Sequence, residues 1–292
     1  MSMICLALTA ASLALAQQPM TMGDMESLTV VSAQDAGNWE PAEATMTQAA
    51  APGLSGVSAL RFHVEVDYNA GEKAYPVGWP RAYYSLKQPW QRTWGDYDYL
   101  RFSVYTETSR ETLPSNPLSL LIYAPDKGHQ YVRNLSELKK GQWVDFEIPV
   151  WNIENPQEVT RLGVSLSESN YRDHDVVTFT IRDLCLVRHA TPVVSQLTVR
   201  PSVAYTDLPV LRVGFRALGI PAGKTADALV TVTSGDQVVT ESREKVSAGL
   251  NSLLANLQLV DLAEGTYKVT VKLAGGPGQE GSLKVVTSPW AR

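Results

Sequence analysis

The residues of this chain best equipped for surface chemistry are its aromatics, and they are unevenly placed. Six of the seven tryptophans lie between Trp39 and Trp151, and Trp79, Trp90 and Trp94 share one stretch with Tyr75, Tyr83, Tyr84, Tyr97, Tyr99 and Tyr105. Trp and Tyr combine a flat apolar face with a polar handle. That combination suits the C–H faces of sugar rings, and it suits a protein core equally well. Arg81 sits among them in Gly78-Trp79-Pro80-Arg81-Ala82-Tyr83-Tyr84, where Pro80 fixes φ and stiffens the chain. This segment is the leading binding-loop candidate, with Trp79, Arg81 and Tyr83 held ready at low entropy cost. Trp90 follows Pro89 in a polar stretch and is expected to be exposed. Tyr123 and Tyr131 flank residues 124–130 and are expected to line a rim. Trp39, Trp94, Tyr97 and Trp143 are expected to pack.

Motifs for catalysis are sparse. His63, His129, His174 and His189 lack metal-ligand spacing such as H-E-x-x-H, and no G-x-S-x-G elbow, P-loop or dinucleotide fingerprint is present. Asp173-His174-Asp175 reads as a solvated loop. A glycosidase or lyase needs two carboxylates roughly 5–10 Å apart on one face. Glu65, Asp67, Asp145 and Glu147 have the surface parity for such a pair, but the expectation is that the chain is not an enzyme.

The two cysteines, Cys5 and Cys185, exclude a cysteine metal site by count. Residues 4–16 form an apolar run of signal-peptide length ending in Ala14-Leu15-Ala16, the small-x-small pattern of a cleavage site, although no Lys or Arg precedes it. Residues 1–16 are therefore expected to be a signal peptide, and the protein to be secreted, periplasmic or at the cell surface. Its removal leaves Cys185 alone, in what reads as a buried strand. No segment is long and apolar enough to span a bilayer, which takes roughly 20 residues. The net charge is −5; residues 195–292 carry ten Lys/Arg against eight Asp/Glu, and the rest fifteen against twenty-two. An acidic, aromatic-rich region is a poor match for a phosphate backbone, so nucleic acid is not an expected partner.

These aromatics must be positioned by strands. From about 25 to 190 the pattern alternates with period two: Leu60, Phe62, Val64 and Val66 against Arg61, His63, Glu65 and Asp67, and Leu100, Phe102 and Val104 against Tyr99, Arg101, Ser103 and Tyr105. Residues 118–122, 144–148 and 177–181 are further strands, separated by turns rich in Pro, Gly and Asn. The fold class is therefore all-β, a jelly-roll β-sandwich followed by a smaller one.

The strand order resembles the galactose-binding-like jelly rolls, in which carbohydrate-binding modules are found. The resemblance rests on Gly56-Val57-Ser58-Ala59-Leu60, on Trp94-Gly95-Asp96-Tyr97-Asp98-Tyr99-Leu100-Arg101-Phe102, on Gly141-Gln142-Trp143 with Ile148-Pro149, and on Phe179-Thr180-Ile181-Arg182-Asp183-Leu184-Cys185-Leu186. It covers nearly all of 25–190 and implies a ligand on a concave sheet face or on loops at its rim. Residues of surface parity are Tyr99, Arg101 and Tyr105; Trp143, Asp145 and Glu147; and Thr178, Thr180 and Arg182. Arg101 joins the candidate contacts on that ground. The resemblance also implies a structural calcium between the N-terminal and closing strands. Asp183 matches the closing position, but Gln34 stands near where the family commonly has an acid, so Asp35 or Asp67 would have to substitute.

After Ala190-Thr191-Pro192 a second β pattern begins, expected as a separate domain over 195–288. Val230 and Val232 are expected to pair with Val238 across Ser234-Gly235-Asp236-Gln237. Leu262-Ala263-Glu264-Gly265-Thr266-Tyr267-Lys268-Val269-Thr270-Val271 is similar to the Tyr-corner strand of immunoglobulin-like and fibronectin-like sandwiches. The layout resembles the N-terminal accessory region of large secreted bacterial glycoside hydrolases. That resemblance implies a non-catalytic carbohydrate-binding accessory module whose partners are a polysaccharide or oligosaccharide and a C-terminal catalytic domain outside this chain. The alternatives are a structural or adhesion spacer and a jelly-roll glycoside hydrolase or lyase.

Overall fold

The alternating apolar residues form strands because branched and aromatic side chains pack well on a pleated, half-buried surface. A computed structural model describes residues 25–69, 77–124, 129–206, 210–247, 253–258 and 262–288. The expected signal peptide, Tyr75 and the tip of the 124–130 loop lie outside the described residues. The protein is nearly all β.

The first eleven strands are β1 (Met25–Val31), β2 (Trp39–Ala42), β3 (Thr45–Ala50), β4 (Ser58–Glu65), β5 (Arg81–Ser85), β6 (Tyr99–Thr108), β7 (Ser119–Tyr123), β8 (His129–Asn134), β9 (Trp143–Pro149), β10 (Arg161–Ser165) and β11 (Val176–His189). They pair into one sheet of order β3-β4-β11-β6-β9, with β1 against the second half of β11, and a second of order β2-β5-β10-β7-β8. Apart from the β3–β4 and β7–β8 hairpins, successive strands alternate between the sheets, as in a jelly roll. The core between them contains Leu60, Phe62, Val64, Leu100, Phe102, Ile122, Leu162, Val164, Phe179 and Ile181. Trp94 is fully buried, and its indole N–H donates to the Gln91 carbonyl at 2.6 Å. Trp39 is buried, and Trp143 is half-buried with its N–H on the Pro52 carbonyl.

Strand β11 does not run straight. Its register against β6 shifts between Arg182 and Cys185, and Asp183 takes a φ of 57° there. Asp tolerates the left-handed region better than most residues, so the closing-strand Asp marks a bulge. Cys185, expected to be buried, is half-exposed, and burial still pushes its thiol pKa up.

The remaining strands are β12 (Val193–Arg200), β13 (Val203–Tyr205), β14 (Val210–Leu218), β15 (Thr225–Ser234), β16 (Gln237–Ser247), β17 (Leu253–Gln258), β18 (Gly265–Leu273) and β19 (Gly278–Val286). They form sheets of order β12-β14-β17 and β13-β19-β18-β15-β16. A second apolar cluster, including Val213, Phe215, Val230, Val232, Val269, Val271 and Leu283, joins these two sheets. The Tyr267 hydroxyl donates to the Ala263 carbonyl at 2.8 Å, closing a tyrosine corner. The β15–β16 hairpin turns at Gly235-Asp236, but a register shift beside Val232 pairs Val238 with Thr233 and leaves Val238 exposed.

Polar groups join the two halves. Asp98 accepts from the His189 backbone N–H at 2.8 Å and from the Gly219 N–H at 3.0 Å, and faces His189 Nδ1 at 2.7 Å. Asp96 accepts from the Ala222 N–H at 2.8 Å, and the Arg216 guanidinium lies 4.3 Å from the Trp151 ring centroid.

Candidate functional site

The outward face of the β2-β5-β10-β7-β8 sheet gathers the strongest binding chemistry. Register fixes which side chains meet there. Tyr83 on β5 stands opposite Gly163 on β10, and Arg161 stands opposite both Ser85 and Tyr123. Arg81 pairs with Ser165 in the row beyond. Alternation turns Tyr84, Leu162 and Ile122 into the core and these residues outward.

At the centre, the Arg161 guanidinium lies 4.4 Å from the ring centroids of both Tyr83 and Tyr123. The two rings meet edge to face at 5.7 Å, and the Tyr123 hydroxyl lies 3.3 Å from that of Tyr83, to which it donates. Burial first, and then the Tyr83 hydroxyl, push the Tyr123 pKa up to about 12, so this phenol stays protonated and can donate. A cation between two ring faces is attracted to both quadrupoles, and its planar N–H fork is held in one orientation.

Trp79 is at the rim, with 47% of its surface exposed. Its backbone is fixed although its ring is free. The Trp79 N–H donates to Glu43 Oε2 at 2.6 Å, and Arg81 Nη1 donates to the Trp79 carbonyl at 3.1 Å. The Arg81 guanidinium also lies 5.2 Å from the Trp79 ring centroid. One residue earlier, the Gly78 N–H donates to Glu168 Oε2 at 2.9 Å, while Glu168 Oε1 accepts from the Asp67 N–H at 3.2 Å. Glu168 is buried, and a Cβ on Gly78 would come within 2.5 Å of its carboxylate. Only glycine leaves room for this clamp.

The structure thus brings Trp79, Arg81, Tyr83 and Tyr123 to one face and places Trp90, Arg101 and Tyr131 elsewhere. The binding segment is only partly a loop, since Arg81 and Tyr83 belong to β5. Trp90 is exposed as expected, but on the short helix α1 (Pro89–Arg92), beside a depression shared with Thr29, Ser32, Asp35, Asn38 and Lys87. Arg101 is on the other sheet and holds Glu147 through two N–H donors at 2.8 and 2.5 Å. Tyr131 is opposite core-facing Ile122 on β8, and its ring packs against the core. Regular antiparallel pairing from Ser119↔Asn134 to Ile122↔Tyr131 sets that parity. Arg161 was not anticipated; its signal is the alternation of Leu162, Val164 and Leu166 around it.

The surface-parity residues of the opposite sheet are mostly engaged. Tyr105 packs beside Trp143 at 5.5 Å, Arg182 lies over Trp143, Asp145 accepts from Ser103 at 2.6 Å, and Thr178 and Thr180 are buried. Tyr99 packs beneath Leu218 and beside Trp151. His174 is in an exposed turn, and Asp175 caps Arg172 there.

The calcium ligands do not assemble. Asp35 accepts both the N–H and the hydroxyl of Ser32, Asp67 accepts the Asn69 N–H, and Asp183 is paired with Arg182 at 2.7 Å. Among the described residues no three His, Cys, Asp or Glu side chains converge. The depression between β1 and β11 is lined by Ser32, Gln34 and Asp183, one carboxylate where calcium prefers six to eight oxygens. These residues do not fit the ion.

No protein-family model matches the sequence, and no curated protein matches it. Solved structures with partial likeness include a beta-1,2-glucanase from Parabacteroides distasonis, at 12% identity and a TM-score of 0.38 over 91% of this chain and 37% of that one. A family 11 carbohydrate-binding module from Clostridium thermocellum, in complex with a beta-1,3-1,4-mixed-linked tetrasaccharide, matches at 12% and 0.32 over 51% of this chain and 88% of the module. The mannan-recognising module TmCBM27 matches at 13% and 0.32 over 56% and 95%. The chain spans little more than a third of the glucanase it resembles. Likeness at this level says nothing of ligand or activity.

Proposed function

We propose that this chain is a non-catalytic carbohydrate-binding accessory module of a secreted glycan-degrading system. A sugar ring stacks on Trp79, and Arg81, Tyr83, Arg161 and Tyr123 supply hydrogen bonds and a second aromatic surface. The observation that carries the reading is a tryptophan nearly half exposed on a backbone anchored by Glu43, one residue from the Glu168 clamp and beside the arginine–tyrosine cluster. An exposed aromatic on a fixed backbone binds with little ordering cost. The β12–β19 sandwich serves as an immunoglobulin-like stalk, and a catalytic partner domain belongs to the same system. Binding requires no cofactor. The non-catalytic reading is supported by the acids of surface parity: Asp145 and Glu147 are on the opposite sheet, bonded to Ser103 and Arg101.

The test is affinity electrophoresis of the protein through a panel of polysaccharide gels. Retardation on one glycan is expected, and Trp79→Ala or Tyr83→Ala weakens it about tenfold or more, equivalent to about 1.4 kcal/mol, with unfolding midpoints unchanged. Trp90→Ala, on separate surface, keeps wild-type retardation. A folded protein retarded by no glycan would instead support the spacer reading.

A further inference from the structure

We propose that the glycan recognised by this face is acidic, a polymer carrying carboxylate groups that dock on Arg161; the inference rests on the carbohydrate-binding reading above. Arg101, Arg110, Arg133, Arg182 and Arg188 each hold a carboxylate of the protein. Among the described residues, neither arginine of this face is paired with a carboxylate: Arg161 lies over the Tyr83 and Tyr123 rings and hydrogen-bonds the Tyr123 hydroxyl, and Arg81 holds the Trp79 carbonyl and lies over its ring. A half-buried guanidinium without a counter-charge is an incomplete arrangement, since charges withdrawn from water are ordinarily paired. A carboxylate would complete it, because its two oxygens match the guanidinium fork in a bidentate pair. A neutral sugar hydroxyl would leave the charge uncompensated.

The surroundings suit an anion. Ser85 stands opposite Arg161, and its hydroxyl can donate to an anion docked there. The protonated state of Tyr123 keeps negative charge off the position beside the guanidinium. Glu43 holds the Trp79 N–H at the rim of this face, and Glu40 is opposite Tyr83 on β2. Glu40 is two strands and two residues from Arg161, roughly 12 Å by strand geometry and beyond the Debye length of about 8 Å at physiological salt. Glu40 therefore does not neutralise Arg161.

The test uses matched pairs of one backbone: polygalacturonate, alginate and hyaluronan, each beside its carboxyl methyl ester. Isothermal titration is expected to show one acid polymer binding at least tenfold tighter than its ester, with affinity falling as salt rises from 0.05 to 0.5 M. Arg161→Gln should lower acid binding at least tenfold, and Arg161→Lys, which keeps the charge but not the fork, by less. Thermal unfolding of both variants checks that they fold. Equal binding of acid and ester, unchanged acid binding in folded Arg161→Gln, or binding of neutral glycans alone would overturn the inference and leave the stacking face standing. Binding of no glycan, acidic or neutral, by the folded protein would overturn both.

Discussion

The Tyr83 ring fills the space that a side chain on Gly163 would need. The two residues are directly opposite on β5 and β10, and a Cβ built on Gly163 would lie 2.6 Å from Tyr83 Cδ1 and 2.8 Å from Cε1. Real carbon contacts are not that close. The missing side chain lets Tyr83 settle against the sheet, where its edge meets Tyr123 and its face meets Arg161. The glycine therefore shapes the face without contacting any ligand.

Gly163→Ala follows directly. The methyl group lifts Tyr83 off the sheet, separates the two hydroxyls and frees Arg161 from one of its rings. Overpacking of this kind costs about 1–3 kcal/mol in a tight core, and a half-exposed ring is expected to give the lower end. Glycan retention falls several-fold, while urea unfolding stays cooperative. Retention equal to wild type would show that the seat of Tyr83 is irrelevant to binding.

Alkaline pH should destabilise the protein in a defined window. Burial raises the phenol pKa values of Tyr99, Tyr171 and Tyr123, the last to about 12, against about 10 in an unfolded chain. Between these values the unfolded chain has released protons that the folded one retains, so stability falls as pH rises. The contribution is complete below pH of about 10 and is lost on passing through the folded values. Urea midpoints are expected to hold from pH 7 to 9.5 and to decline above pH 10, less steeply in Tyr123→Phe. Midpoints level through pH 11 would contradict the burial of these phenols.

Period-two alternation was enough to read the strands in the sequence, because each sheet has one face on a core. Leu60, Phe62 and Val64 point inward as their spacing requires, and Tyr267 closes its corner as the residues before it suggest. The face was legible only in part. Trp79, Arg81, Tyr83 and Tyr123 stood out by residue type, whereas Arg161 belongs to a short strand with two core residues, Leu162 and Val164, and a glycine between them. Parity within one strand also cannot say which sheet the strand joins. Arg101 has the outward parity of a contact, yet β6 pairs with β9 and β11 on the far side of the sandwich. Tyr131 was expected at the rim because it flanks a loop, but a place beside a loop does not say which face a side chain takes, and Tyr131 pairs with core-facing Ile122.

Tyr267→Phe tests the second sandwich by itself. The hydroxyl donates one bond to the Ala263 carbonyl at 2.8 Å, and the ring is buried in the core of the sandwich. Phenylalanine keeps the packing and removes the bond, for a loss of about 1 kcal/mol. Glycan retention should not change. An unaltered unfolding midpoint would mean that the corner adds nothing to stability.

Asp98 is the buried polar link between the two cores, beside the half-exposed bond of Asp96 to the Ala222 N–H, and its loss should weaken their coupling. Its carboxylate is buried and accepts from two backbone N–H groups, those of His189 and Gly219, while facing the His189 ring. Asp98→Ala leaves the two backbone N–H groups without that acceptor, at a cost of about 1–3 kcal/mol for each buried donor. Asp98→Asn keeps one carbonyl oxygen and should lose less. Six tryptophans between Trp39 and Trp151 make fluorescence a reporter of the first sandwich, while far-UV circular dichroism sees both. Coincident urea transitions are expected for the wild type, and separated ones for Asp98→Ala as the β12–β19 core opens independently. Coincident transitions in the alanine variant would place the coupling instead in the apolar contact of Tyr99, Val187 and Leu218.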